Sequence, residues 1–150
     1  MWFLRPYSVY FLKAILNISK VTIYADGAAR GNPGPAAIGV IIKDETGNII
    51  ATVSRRLGAT TNNQAEYRAI VAALEKALTL GARHVALKSD SELVVKQING
   101  LYKIKNAALR PLYQEAVHLI GSLDSFSISH IPHSQNAAAD ALANKALDSF

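Results

Sequence analysis

Cysteine is absent from the 150-residue chain, which excludes disulfides and thiolate metal sites and says little about compartment. Any metal must therefore sit on oxygen or imidazole. No apolar run reaches the ~20 residues that a membrane span needs. The apolar stretch from Val9 to Ile18 is interrupted by Lys13 and Asn17, and no small-residue cleavage site precedes Val21 to mark a signal peptide. Blocks of like charge, internal repeats and low-complexity segments are also missing. What is present is a chain half apolar in composition, enough for one compact domain with its own core. The formal charge of +5 suits a polyanionic partner without demanding one. Residues 1–20 read apart, as a lead or extension ahead of a domain over 21–150.

The chain is organised around Asp26 to Pro35, Asp-Gly-Ala-Ala-Arg-Gly-Asn-Pro-Gly-Pro. A β-type run, Val21 to Ala25, is expected to stop there on a carboxylate. Glycines 27, 31 and 34 allow positive φ and close approach of a ligand, and Pro33 and Pro35 stiffen the exit. The result is a backbone-lined ledge beside Asp26. The same residues also read as a plain turn between strands, and the glycine spacing matches neither a P-loop nor a dinucleotide fingerprint.

Ala36 to Lys43 and Asn48 to Leu57 alternate as strands around the turn Asp44-Glu45-Thr46-Gly47. Thr61 and Gln64 form a capping box for a helix running to about Leu80, with Gly81 as its stop. The helix carries an apolar stripe of Ile70, Ala73, Leu74, Ala77 and Leu78. One turn back, that stripe lands on Glu66. A short strand, His84 to Lys88, ends at Ser89-Asp90-Ser91 before a helix that stops near Gly100. Further on, the pattern predicts a helix over Ala107–Ile120, a strand over Phe126–Ile131, and a last helix capped by Asn136 with Asp140 in its first turns. The order βββαβααβα implies an α/β fold: a five-stranded mixed sheet, three strands in an antiparallel meander and two parallel, with helices on both faces. Strand ends bearing Asp26 and Asp90 then neighbour helix starts bearing Glu66 and Asp140, where open α/β sheets bind ligands.

Each acid alone reads as a helix cap, a dipole-stabilising charge or a solvated side chain. Together they are harder to explain that way. At ~5 Å and an effective dielectric of ~20, each pair of carboxylates repels by about 3 kcal/mol. Arg30 is the one basic residue in these motifs, too little charge to neutralise four acids. Protonation relieves part of such repulsion and bound divalent cations relieve it more directly, and an all-oxygen set favours Mg²⁺ or Mn²⁺ over Zn²⁺. Two such ions can activate a water and stabilise a leaving oxygen in phosphodiester hydrolysis.

Four segments carry a resemblance: Tyr24 to Pro35, Thr60-Thr61-Asn62-Asn63-Gln64-Ala65-Glu66-Tyr67, Ser89-Asp90-Ser91, and Asn136 through Asp140-Ala141-Leu142-Ala143. In order over about Val21 to Leu147, the chain resembles type 1 ribonuclease H, in a short form lacking the basic handle helix. The resemblance implies endonucleolytic cleavage of the RNA strand of an RNA/DNA hybrid to 5′-phosphate and 3′-hydroxyl ends. Asp26, Glu66, Asp90 and Asp140 would hold two Mg²⁺ ions, with Mn²⁺ able to substitute. Asn32, Asn62 and Asn63, with Gln64 beside them, match positions that reach the hybrid minor groove, where 2′-hydroxyls mark RNA. Backbone groups of Gly27, Ala28, Ala29 and Gly31 would reach those hydroxyls too. Thr61 matches a residue holding a DNA-strand phosphate, although the basic residue often found two places earlier is Ala59 here. Lys96, Lys103, Lys105 and Arg110 are candidates for backbone contacts, or else a solvated basic face. His133, in the loop after Pro132, is preferred as the mobile histidine of the family over His130, whose strand phase suggests packing. The expectation is a cytoplasmic monomer with no membrane attachment and no obligate protein partner. Transposases, resolvases and exonucleases share related folds but lack the Asn-rich entry to the Glu66 helix. A hybrid-binding module without chemistry is disfavoured by the presence of all four acids.

Overall fold

The computed structural model describes residues 18–149. The strands are β1 (Lys20–Ala29), β2 (Gly34–Lys43), β3 (Ile49–Thr60), β4 (His84–Ser89) and β5 (Ser125–His130). The helices are α1 (Asn62–Thr79), α2 (Glu92–Ile98), α3 (Arg110–Ile120) and α4 (Ala137–Asp148), the last preceded by a 3₁₀ turn at His133–Asn136. Sheet order is β3-β2-β1-β4-β5. The first three strands pair antiparallel, and β1 with β4 and β4 with β5 pair parallel. This is the five-stranded mixed sheet expected from the order of elements. Of the lead expected over residues 1–20, residues 1–17 lie outside the described residues. Ile18 is buried in the main core, and the Ser19 carbonyl accepts from the Arg83 and His84 amides.

Both faces of the sheet are covered. Alternation along β1 and β2 turns Ile23, Ala25, Ile38, Val40 and Ile42 toward Ile70, Ala73, Leu74 and Ala77 of α1. Burial of each large aliphatic there is worth about 1.5–3 kcal/mol. The opposite face puts Ala37 against Ala143, Ala146 and Leu147 of α4. Helix α1 ends as expected: Gly81 takes φ +90°, its amide bonds Leu78 and the Ala82 amide bonds Ala77, which is a Schellman closure.

Several boundaries differ from the sequence expectation. Strand β1 does not stop at Asp26. Its ladder continues through Gly27, Ala28 and Ala29 opposite Ile38, Ala37 and Ala36. Of the three ledge glycines only Gly31 has positive φ. Strand β3 reaches Thr60 rather than Leu57. Ala36 pairs with Leu57 and Pro35 with Ala59, leaving Gly58 as the extra residue of a β-bulge that lets the ladder resume. Helix α3 starts at Arg110, not Ala107, because the Asn106 side chain takes the Ala108 amide at 2.8 Å and holds a turn there; Pro111 sits in the first turn as expected. Strand β5 begins and ends one residue earlier than predicted. Half of the α1 capping box forms: Thr61 Oγ1 accepts from the Gln64 amide at 3.2 Å, while the Gln64 side chain turns to the Thr60 hydroxyl. Asn136 caps nothing with its side chain. Among the described residues no helix is long and apolar enough to cross a membrane.

Candidate active site

Each acid arrives on a different element. Asp26 lies on β1 and is 4 % exposed; Glu66, in the second turn of α1, is 8 % exposed. Asp90 follows the last residue of β4. The cap of α2 is Ser91, whose Oγ accepts from the Val94 amide, so the Asp90 carboxylate is not consumed in capping. One carboxylate oxygen from each of Asp26, Glu66 and Asp90 lies within 4.8 Å of the others. Asp140 is outside that triad but near enough to Asp26 to raise the Asp26 pKa.

Two close approaches make this convergence possible. A Cβ on Gly27 would fall 2.2 Å from the Ala65 carbonyl carbon, and one on Gly39 would fall 1.9 Å from the Ala139 oxygen. Ala65 and Ala139 immediately precede Glu66 and Asp140. Each acid-bearing helix therefore rests directly on a glycine of the sheet, and the ledge glycine 27 serves helix packing rather than a positive φ. The Gly27 amide also donates to Glu66 Oε1 at 3.2 Å. Tyr67, fully buried beside Glu66, donates its hydroxyl to Gln97 Oε1 at 2.7 Å and so ties α1 to α2, the helix that follows Asp90. Asn136, 1 % exposed, donates to the Ala25 carbonyl at 3.0 Å, linking the residue before Asp26 to the turn before Asp140. Gly39, Asn136 and the Tyr67–Gln97 pair were not singled out from sequence as site residues. Their signals were a glycine inside an apolar strand and polar residues on otherwise buried faces.

Burial and crowding dominate the electrostatics. Burial, then the charges of Asp90 and Asp140, push the Asp26 carboxyl from its ordinary 3.8 up to about 8. Burial and then the Asp26 charge raise Glu66 well above its usual range, against the Gly27 hydrogen bond. No Lys or Arg forms an ion pair with these acids among the described residues. Among the described residues the basic side chain paired with these acids is His133, whose Nδ1 lies 2.6 Å from Asp90 Oδ2, with side-chain exposures of 70 % and 12 % respectively. Asp90, then Asp140 and Asp26, hold the imidazole above its ordinary pKa. An oxygen-only, buried, anionic cluster without a matching fixed cation fits divalent ions of the Mg²⁺ class. His130, expected to be packed, is exposed: as the last residue of an edge strand it escapes the cover given to Ile128.

The other candidates divide into two groups. The β1–β2 hairpin and the start of α1 are held together by asparagines: the Asn62 amide donates to Asn32 Oδ1 at 3.0 Å, and Asn62 Oδ1 accepts from the Ala29 amide at 3.1 Å. Gly27, Ala28, Ala29, Gly31, Asn32, Thr61, Asn62, Asn63 and Gln64 thus share one rim of the site. The Gly27 and Ala29 amides are already bonded within the protein, so carbonyls and asparagine amide groups are what that rim offers outward. Lys96 is engaged elsewhere, with Glu92 at 2.7 Å and the Tyr102 hydroxyl at 3.2 Å. Lys103 and Lys105 are exposed between α2 and α3, where Lys103 and Arg110 border a cavity of about 380 Å³ with Tyr102 and Tyr113.

Comparison with known proteins gives concordant matches. A family model described as reverse transcriptase-like matches residues 24–146. Ribonuclease HI of Halobacterium salinarum is 46 % identical over 129 residues, 86 % of this chain and 65 % of that protein. The crystal structure of RNase H1 from that archaeon superposes with a TM-score of 0.84 and is covered over 98 % of its chain. The N-terminal RNase H domain of a bifunctional Mycobacterium tuberculosis protein is 41 % identical, with a TM-score of 0.84 over 86 % of this chain and 99 % of the domain; the chain spans 36 % of that whole protein. LC11-RNase H1, crystallised with an RNA/DNA hybrid, is 43 % identical, with a TM-score of 0.82 over 85 % of this chain and 96 % of the other.

Proposed function

Because the chain belongs to the ribonuclease H family, we propose that it is an endonuclease that hydrolyses the RNA strand of RNA/DNA hybrids, leaving 5′-phosphate and 3′-hydroxyl ends. The observation that carries this reading is the convergence of Asp26, Glu66 and Asp90 within 4.8 Å, beside a rim built from the Asn32–Asn62 linkage. The family is metal-dependent, and the ions proposed are two Mg²⁺, replaceable by Mn²⁺, held by Asp26, Glu66, Asp90 and Asp140. Bound there, they supply an activated water and charge stabilisation for the leaving 3′-oxygen.

The chain's own residues do the rest. The rim of Gly27, Ala28, Ala29, Gly31 and Asn32 with Thr61, Asn62, Asn63 and Gln64 orients the minor groove, its outward carbonyls and amide groups meeting 2′-hydroxyls of the RNA strand. The Gly27 N–H holds Glu66 in one orientation. In the hydrolysis a water oxygen bonds to phosphorus, the bond from phosphorus to the 3′-oxygen breaks, and a proton ends on that oxygen. His133, exposed and paired with Asp90, takes and releases a proton at the edge of the cluster. Lys103 and Lys105 add backbone charge contacts; Lys96 joins them only by giving up Glu92. The protein is read as a cytoplasmic monomer without an obligate protein partner, and residues 1–20 as a lead or extension of unknown role that supplies no site residue.

The test is incubation of end-labelled RNA/DNA, RNA/RNA and DNA/DNA duplexes with Mg²⁺, Mn²⁺ or EDTA. Cleavage confined to the RNA strand of the hybrid, abolished by EDTA, is expected. Equal cleavage of DNA/DNA overturns the assignment.

A further inference from the structure

Asp140 is the one acid outside the three-carboxylate cluster, and a side chain one helical turn later touches it. Asn144 Nδ2 donates to the Asp140 carbonyl at 3.0 Å and to its Oδ1 at 3.2 Å. An asparagine amide has two unlike ends, an acceptor and a donor, and its orientation follows its neighbours. Here the acceptor end faces a cation: Arg30 Nη2 lies 3.4 Å from Asn144 Oδ1 and is anchored by Asp148 Oδ1 at 2.7 Å. Turning the amide over would set its oxygen against a carboxylate and its NH₂ against a guanidinium, so both contacts favour one orientation. Arg30 comes from the β1–β2 hairpin, 114 residues away in sequence. The Asp140 carboxylate is thus held by a neutral donor, which restrains it without bringing a positive charge that would compete with a bound cation.

We propose that Asn144 is a positioning residue for Asp140, its amide oriented by Arg30, and that this pair sets the affinity of the carboxylate cluster for divalent cations. The inference rests on the reading of that cluster as a metal site. A purely structural Asn144, serving only α4, would affect folding and leave metal affinity alone.

The experiment is calorimetric titration of the full-length chain with Mn²⁺, alongside thermal melts in EDTA, for the unaltered protein, Asn144→Leu, Asn144→Gln and Arg30→Ala. Leucine matches asparagine in size and suits a helix, so Asn144→Leu should keep the EDTA melting temperature while raising the Mn²⁺ Kd about tenfold, as loss of a partner behind a metal ligand does. Asn144→Gln, which keeps the donor, should stay within about threefold of the unaltered Kd, and Arg30→Ala should raise it by about threefold, on the same scale. Unchanged Mn²⁺ affinity in a folded Asn144→Leu protein overturns the proposal, as does a glutamine variant as weak as the leucine one. If Asn144→Leu fails to fold, Arg30→Ala decides, since unchanged affinity there removes the orienting role. Hybrid cleavage measured in parallel separates the two readings. An unaltered protein that binds Mn²⁺ but cuts no hybrid sinks the nuclease and leaves this inference standing, while one that binds no Mn²⁺ sinks the metal site and this inference with it.

Discussion

The two ends of the parallel strands are built on opposite electrostatic plans. Where β4 and β5 begin, Arg83 pairs with Asp124 through two hydrogen bonds of 3.1 and 2.8 Å, His84 meets the Ser125 hydroxyl, and every charge in that set has a partner in water's reach. Within β1 and just beyond the end of β4, Asp26 and Glu66 are buried, Asp90 joins them, and among the described residues no Lys or Arg pairs with them, only the exposed His133. Pairing at the first end leaves Arg83 and Asp124 neutralising each other. Crowding at the second holds the Asp26 and Glu66 carboxyls above their ordinary pKa values, a repulsion that a cation would relieve, which is why the metal site is proposed there.

The largest effect should come from removing one member of the crowded end. Asp26→Asn is nearly isosteric and deletes one ionisable carboxylate that would help hold the proposed metal ions, so hybrid cleavage should fall by orders of magnitude while the metal-free protein melts at a higher temperature. A less stable, still active variant would mean that Asp26 is only a turn residue. Melts in EDTA and the hybrid assay read both.

The pH dependence of the metal-free protein comes next. Asp26 and Glu66 hold protons in the folded state that the unfolded chain gives up at lower pH. Their contribution to stability is therefore fully present below about pH 4 and declines as pH rises toward the folded Asp26 value of about 8, by up to ~1.4 kcal/mol per pH unit for each extra proton bound. His133, raised in the fold, has the same sign, its contribution being present below its unfolded pKa and lost as pH climbs through the folded one. Melting temperature in EDTA should fall from pH 5 to pH 8, and Mg²⁺ should restore it at pH 8. A melting temperature in EDTA that rises across this range would remove the crowding.

Helix seating is the third lever. Gly39→Ala forces a methyl onto the Ala139 oxygen, an overpacking strain of about 1–3 kcal/mol, and must lift α4 and Asp140 with it. Cleavage should drop about tenfold or more while the Arg83 end is untouched, since a misplaced ligand costs rate well before it costs the fold. Normal activity would show that Asp140 tolerates displacement. Smaller still, His133→Ala should slow turnover about tenfold, toward the low end of acid–base contributions, with Mn²⁺ affinity retained. If His130→Ala does this instead, the choice between the histidines is reversed. At the balanced end, Asp124→Asn removes an exposed pair of the kind that contributes little and should alter neither cleavage nor metal binding.

Much of this was open to a sequence reading because local pattern carries it. Alternation in β2, the α1 stripe and the glycine at 81 each act over a few residues, so the five strands and the order of helices followed from period and punctuation, and Glu66 stood out as a charge on an apolar stripe. Asp26, Glu66, Asp90 and Asp140 could be named because each sits within a recognisable segment, although Asp26 proved to lie inside β1 rather than at its end. What the sequence could not decide was which local option each residue takes. Asn136 has the position of a cap and instead bonds Ala25, 111 residues away. His130 has the phase of a packed side chain and is exposed, whereas His133 reaches Asp90 across 43 residues. Gly39 is one small residue in an apolar strand until α4 is laid across it. Chain chemistry alone thus determined the inventory of elements and acids, since propensity and period are properties of neighbours in sequence. Tertiary structure decided which acids face one another and which helix rests on which glycine, because those choices depend on contacts between distant segments that exist only once the sheet has closed and both helices have packed onto it.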